Sequence, residues 1–204
     1  MKKFTFVAML SALFQVDCMN VNEQICDENM KQVCSLMCRD YKEIEELDLT
    51  KCEIITVCGV KMIRKYFGKQ THVRIPDDIA VIRFYAFSDS NVEAVVIPAS
   101  VTSIWAYSFS NCRNLKVVEF ERGSQLRAID SDVFRFSQNL AAVINIPDSV
   151  ESIGSRCFFG CRNLREITFE ERSNVKSIGR YAFVATPIDN NMSSLRNCLW
   201  ISSL

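Results

Sequence analysis

Histidine is almost missing: His72 is the only one in 204 residues. A single imidazole restricts acid–base chemistry and metal ligation from the outset. Charge of one sign is also lacking, because 24 basic and 24 acidic side chains cancel. That excludes an electrostatic nucleic-acid binder, which needs a basic excess to displace counterions from phosphates. An apolar share of 49% excludes a disordered chain. Six glycines are too few to suggest a phosphate-cradling loop, and none of that loop's spacings occurs. No apolar run approaches the roughly 20 residues needed to cross a bilayer, so no transmembrane segment is expected. Carboxylates do not cluster at metal or glycosidase spacing, and no C-x-x-C pair occurs. No nucleophile motif surrounds Cys52 or Cys58, the cysteines nearest His72. The expectation is a folded, neutral chain with no catalytic residues, no cofactor and no metal.

What is present begins at the N-terminus. Lys2 and Lys3 precede an apolar stretch from Phe4 to Phe14, the first two parts of a secretory signal. Residues 1–18 then read as a signal peptide, with Val16 and Cys18 as the small residues before cleavage, or else as a buried segment that is retained. Residues 19–59 read as a cysteine-bearing, mainly helical cap. Ile25, Met30, Val33, Cys34, Met37, Cys38, Tyr41 and Ile44 recur at the period of an amphipathic helix. Cys18, Cys26, Cys34, Cys38, Cys52 and Cys58 cluster here. In an exported chain they suggest disulfides, with Cys198 as a further partner if Cys18 is cleaved off. In a retained chain, Cys34 and Cys38 are small hydrophobes of a core.

From about residue 70 the sequence repeats. Phe87, Phe109, Phe134, Phe158 and Phe183 recur every 22 to 25 residues, each five residues after an isoleucine: Ile82, Ile104, Ile129, Ile153 and Ile178. A unit this short cannot bury its own apolar face, so it must stack on copies of itself. The fold class is therefore a repeat solenoid of about five coils, each giving one short strand to a parallel β-sheet face. Residues 60–190 form this array, with 60–74 a degenerate first coil in which Val60, Ile63 and Phe67 fill the repeat roles. Residues 191–204 form a tail or partial cap. Cys112, Cys157 and Cys161 occupy inward positions and are expected to be free, buried thiols, since equivalent atoms two coils apart lie about 10 Å from each other.

The repeat reads I-P-A-S-V-T-S-I-W-A-Y-S-F-S-N-C-R-N-L-K-V-V at 97–118 and I-P-D-S-V-E-S-I-G-S-R-C-F-F-G-C-R-N-L-R-E-I at 146–167. It resembles the BspA-like, or Treponema pallidum-type, leucine-rich repeats over about 75–188. The resemblance implies a non-enzymatic, secreted or surface-associated protein that binds other proteins, as adhesins and surface antigens do. The alternative is an intracellular interaction scaffold with no cleaved signal. Two sets of residues are candidates for partner contact. One is the outward strand row Arg74, Val96, Glu119, Asn145 and Thr168. The other is the aromatic group Phe84, Tyr85, Trp105 and Tyr107 at neighbouring turns of two coils, rings of the kind that concentrate binding energy at interfaces.

Overall fold

The structure, a computed structural model, describes residues 44–170 and 172–188. The chain divides into two compact units, Met1–Glu46 and Leu47–Leu204. Of the first unit, the described part runs from Ile44 and carries a two-residue strand, β1 (Glu45–Glu46). The signal segment, most of the expected helical cap and the tail from residue 189 lie outside the described residues.

The described end of that cap requires a correction, because it is not helical beyond one short turn. Asp48 caps a 3-10 helix (Leu49–Lys51) by accepting from the Thr50 amide. Strands β2 (Cys52–Val57) and β3 (Val60–Tyr66) follow as an antiparallel hairpin. Isoleucine, threonine and valine in β2 favour a pleated surface. The two turn residues, Cys58 and Gly59, both take positive φ (50° and 79°), which matches the right-handed twist of a two-residue hairpin.

Beyond the hairpin each coil contributes two strands, not the one expected. The first set is β4 (His72–Arg74), β6 (Ala94–Ile97), β8 (Val117–Phe120), β10 (Ala142–Ile146) and β12 (Glu166–Phe169), side by side in that order. Their pairing is parallel, with Val95, Val118, Val143 and Ile167 in register. The second set is β5 (Ile79–Ile82), β7 (Ser103–Ile104), β9 (Ala128–Ile129), β11 (Ser152–Ile153) and β13 (Ser177–Ile178). It runs on through β3 and β2 to make a seven-stranded sheet. The isoleucine five residues before each phenylalanine is the inward residue of this second sheet, which is why it repeats so strictly.

Between the sheets the phenylalanines form one column. Ring centroids are 4.9 Å apart for Phe87–Phe109, 5.6 Å for Phe109–Phe134, and 5.3 Å for both Phe134–Phe158 and Phe158–Phe183. The column is continued at the hairpin end by Tyr66, 5.1 Å from Phe87. Tyr66 is buried and Phe67 is 61% exposed, so the column role expected of Phe67 belongs to its neighbour. Ile63 is buried as expected, but Val60 lies exposed near the hairpin tip.

The connecting turns bend the chain through the left-handed region twice per coil. Tyr85, Tyr107, Asp132, Arg156 and Tyr181 hold φ between 54° and 63°, and Asp89, Asn111, Phe136 and Ala185 between 56° and 61°. Such backbone costs of order 1 kcal/mol or more per residue. It persists because the turns stack and bond: the backbone N–H of Asn111 donates to the Arg135 carbonyl, and that of Phe136 to the Phe159 carbonyl, one coil on. At two turns glycine stands where a side chain would meet the backbone of the preceding coil. A Cβ on Gly154 would stand 2.4 Å from the Ser131 amide nitrogen and 2.5 Å from the Asp130 carbonyl carbon. Those are backbone atoms held by a ladder. Gly154→Ala is expected to destabilise the array by about 1–3 kcal/mol, read as a lowered denaturant midpoint; an unchanged midpoint would show that the coils can separate freely there.

Candidate protein-interaction surfaces

The interior explains the repeat cysteines. Cys112 donates its thiol to the Phe87 carbonyl (3.0 Å), Ser137 its hydroxyl to Phe109 (2.8 Å), and Cys161 its thiol to Phe134 (3.1 Å). The same position in successive coils thus satisfies a buried carbonyl of the preceding coil, and cysteine serves as a weaker serine. Cys112, Cys157 and Cys161 are free and buried. Burial pushes the Cys112 thiol up to about 11 and the other two higher still. Thiolate is the reactive form, so these groups are inert in the fold. Iodoacetamide at pH 8 is expected to label exposed Cys58 in the native protein. It should reach Cys112, Cys157 and Cys161 only after unfolding without reductant. Native labelling of any of the three, or a Cys112–Cys161 disulfide, would overturn the register.

His72 lies beside Thr71, with the hydroxyl 3.0 Å from its Nδ1. Among the described residues no group of three or more His, Cys, Asp or Glu side chains is placed to hold a metal ion. No helix there is long and apolar enough to cross a membrane.

The expected outward row on the first sheet is differently built. Val96, Glu119, Asn145 and Arg74 are all buried, between 1% and 9% exposed, and only Thr168 is partly accessible. Asn145 leaves the row altogether. The pairing of β10 with β12 shifts between Val143 and Ile146, a β-bulge, and Asn145 takes φ 57° there. Its backbone N–H donates to the Thr168 hydroxyl at 2.9 Å, and Ile144, paired with Glu119, holds the outward position. Arg74 forks onto Glu121 (Nε–Oε1 2.7 Å, Nη2–Oε2 2.9 Å) and also reaches Asp77 at 2.7 Å. These carboxylates hold its guanidinium charge even more firmly than usual. Glu119 has no such help. Its Oε2 is buried without a hydrogen-bond partner, and burial, with Glu121 nearby, pushes its carboxyl up to about 7.

The aromatic set does come together, on the edge formed by the turns after β5 and β7. Phe84 and Trp105 are 4.9 Å apart and tilted by 51°, while Tyr85 and Tyr107 stack at 5.0 Å, 8° from parallel. The left-handed φ of both tyrosines swings their side chains outward at the same point of each coil. Phe84 and Tyr85 are each 51% exposed; Trp105 and Tyr107 are half-buried. Arg83, absent from the expected set, lays its guanidinium over Trp105 at 5.1 Å. It occupies the same repeat position as Trp105, one coil earlier, a signal available in the aligned repeats. A second exposed cluster, also missed, lies further along: Phe136 meets Phe159 edge-on at 5.5 Å, with Arg135 over Phe136 at 4.8 Å.

Parallel coils, two sheets and an internal phenylalanine column define a leucine-rich-repeat β-solenoid. The chain belongs to the BspA type leucine rich repeat family, whose repeat matches residues 65–188 in six copies. Solved structures share the fold. The pneumococcal vaccine antigen PcpA is 23% identical with a TM-score of 0.56, over 66% of this chain and 40% of that one. A leucine-rich repeat protein from Bacteroides capillosus is 25% identical with a TM-score of 0.53, over 61% of this chain and 97% of that one. A leucine rich cell surface protein from Faecalibacterium prausnitzii is 22% identical with a TM-score of 0.50, over 71% and 47%. The chain thus spans less than half the length of the pneumococcal antigen. No curated protein sequence matches significantly.

Proposed function

We propose that this protein is a non-enzymatic binding module that works outside the cell, secreted or held at its surface, in adhesion to other proteins. The observation that carries the reading is the exposed aromatic edge on a rigid stack. Ring area is left in water at Phe84 and Tyr85, each about half exposed, while the repeat phenylalanines fill the interior. Solenoids suit this work because the fixed rise from coil to coil presents a broad surface without an ordering cost on binding. The basic and apolar start at residues 1–18 supports export, as do the description of one structural relative as a cell surface protein and of another as a vaccine antigen. In this reading the aromatic edge, and not the covered strand row, meets the partner, with Thr168 the accessible member of that row.

Labelled full chain is expected to bind intact cells or immobilised extracellular-matrix proteins saturably, to be competed by unlabelled chain, and to lose its sites after protease treatment of the surface. Binding that neither saturates nor responds to protease would refute the reading. So would native protein retained in the cytoplasm with Met1 intact, which points instead to an intracellular scaffold.

A further inference from the structure

We propose that the free edge of β2 is a self-association surface, on which a second copy of this chain pairs its own β2 antiparallel across a two-fold axis at Ile55. It is separate from the aromatic edge and does not rest on the adhesion reading.

Four strands end the two sheets. β1 and β13 have two residues each and β12 has four, whereas β2 has six and pairs with β3 alone among the described residues. Short strands blunt an edge; a long one is a template for another chain. Other protections are missing too. Cys52–Val57 holds no proline and no lysine, and its one charge, Glu53, is bonded by Arg64 of β3. The register shift between Glu53 and Ile54 leaves Ile54–Val57 in regular pairing. Val57 and Val60 flank the two-residue turn as a hydrogen-bonded pair, so Val57 and Ile55 bond to β3. Ile54 and Thr56 alternate with them and turn N–H and C=O to the open edge, where no backbone bond is made among the described residues.

The arrangement fits its own copy. Ile54 and Thr56 lie symmetrically about Ile55, so an antiparallel second β2 sets each Ile54 against the other copy's Thr56, with both bonds exchanged. Ile55 then meets itself on the axis. Ile54 packs inward opposite buried Ile63, so Ile55 and Val57 face away from the core, paired with Met62 and Val60. The outward side of such a pair is ordinarily polar. Here it is apolar, with Val57 51% and Val60 38% exposed, and pairing two copies joins the two patches. Charge permits the contact and sets its register. Glu53 falls beside Val57 of the second copy, whereas a slide that opposed Glu53 to itself would place like charges together. The chain's 24 basic and 24 acidic groups cancel, which removes net repulsion between copies.

The test is sedimentation velocity of the full chain under reductant, from about 1 to about 300 µM, a span that captures a weak reversible pair. The mean mass is expected to rise from that of one chain toward that of two. Thr56→Pro deletes an N–H that faces the open edge and is not used by β3, so it should stay monomeric and melt like wild type. A second measurement covers the case in which that proline disrupts the hairpin. In a Cys58→Ser background, Ile55→Cys should oxidise to a dimer whose linked peptide joins position 55 to itself. Val57→Cys should not, because its copies lie beyond disulfide reach in this register. A monomer at every concentration overturns the proposal, as does cross-linking at position 57 as readily as at 55. So does association that persists in a folded Thr56→Pro variant; if Tyr85→Ala then abolishes it, the aromatic edge is the contact.

Discussion

Phe134→Ala is expected to lower stability by about 3–5 kcal/mol, the usual cost of truncating a fully buried aromatic. The ring is wholly inaccessible and sits in the middle of the column, 5.6 Å from Phe109 and 5.3 Å from Phe158, nearly parallel to both. Two kinds of loss combine: the apolar area returned to water or left as a void, and the ring–ring contacts on both sides. The backbone around it is not free to collapse into the space. The Phe134 amide donates to Cys157 at 2.9 Å, and the Cys161 thiol donates to the Phe134 carbonyl at 3.1 Å, fixing the position of the coil against its successor. Because each coil is stabilised mainly by its neighbours, the damage should spread. Hydrogen exchange is expected to accelerate at Phe109 and Phe158 as well as at the mutated site. Phe183→Ala, at the last described member of the column, should cost less and spread in one direction only. A loss under about 1 kcal/mol for Phe134→Ala would mean the column contributes shape but little energy.

That column was legible because stacking forces equal roles onto equal offsets. The five phenylalanines and the isoleucines ahead of them could be written down without coordinates. The second sheet was not legible. Its strands are as short as Ser103–Ile104, and the spacing from Val101 to Ile104 is the same whether the backbone pairs or merely turns. Tyr66 was missed for a related reason. The hairpin coil is shorter than the others: Tyr66 follows Ile63 by three residues, where the column ring follows its isoleucine by five in every later coil. The bulge at Asn145 did leave a trace. Six residues separate Leu140 from Ile146, where five separate Leu115 from Phe120 and Leu164 from Phe169, and the extra residue had to go somewhere. At the candidate site, the grouping of Phe84, Tyr85, Trp105 and Tyr107 followed from repeat register alone. The burial of Arg74, Val96 and Glu119 did not, since outward on a strand does not mean wet. Arg83 was overlooked because a charged residue beside an aromatic one reads as a solvated turn until its guanidinium is seen over Trp105.

Glu119 makes the buried row testable. Its carboxyl is 2% exposed, one oxygen lacks a partner, and Arg74, the neighbouring cation of the row, is engaged by Glu121 and Asp77. Burial disfavours the charged form, Glu121 adds repulsion, and the group titrates near 7 in place of 4.5. Between those two values the folded protein binds more protons than the unfolded chain, so stability falls as pH rises. The stabilisation is fully present below about pH 4.5 and is lost as pH climbs through 7. The size is about 3 kcal/mol, from a shift of that order at about 1.4 kcal/mol per unit. Glu119→Gln keeps the shape and removes the titration. It should melt like wild type at pH 4.5, where Glu119 is protonated in the fold, and be more stable by up to about 3 kcal/mol at pH 8. Glu121→Gln should behave in the opposite sense, because it strips Arg74 of its bidentate partner and leaves a buried guanidinium short of charge. Parallel stability curves for wild type and Glu119→Gln across pH 4.5 to 8 would place this carboxylate in contact with water or with a cation, and the covered row would have to be redrawn as an accessible one.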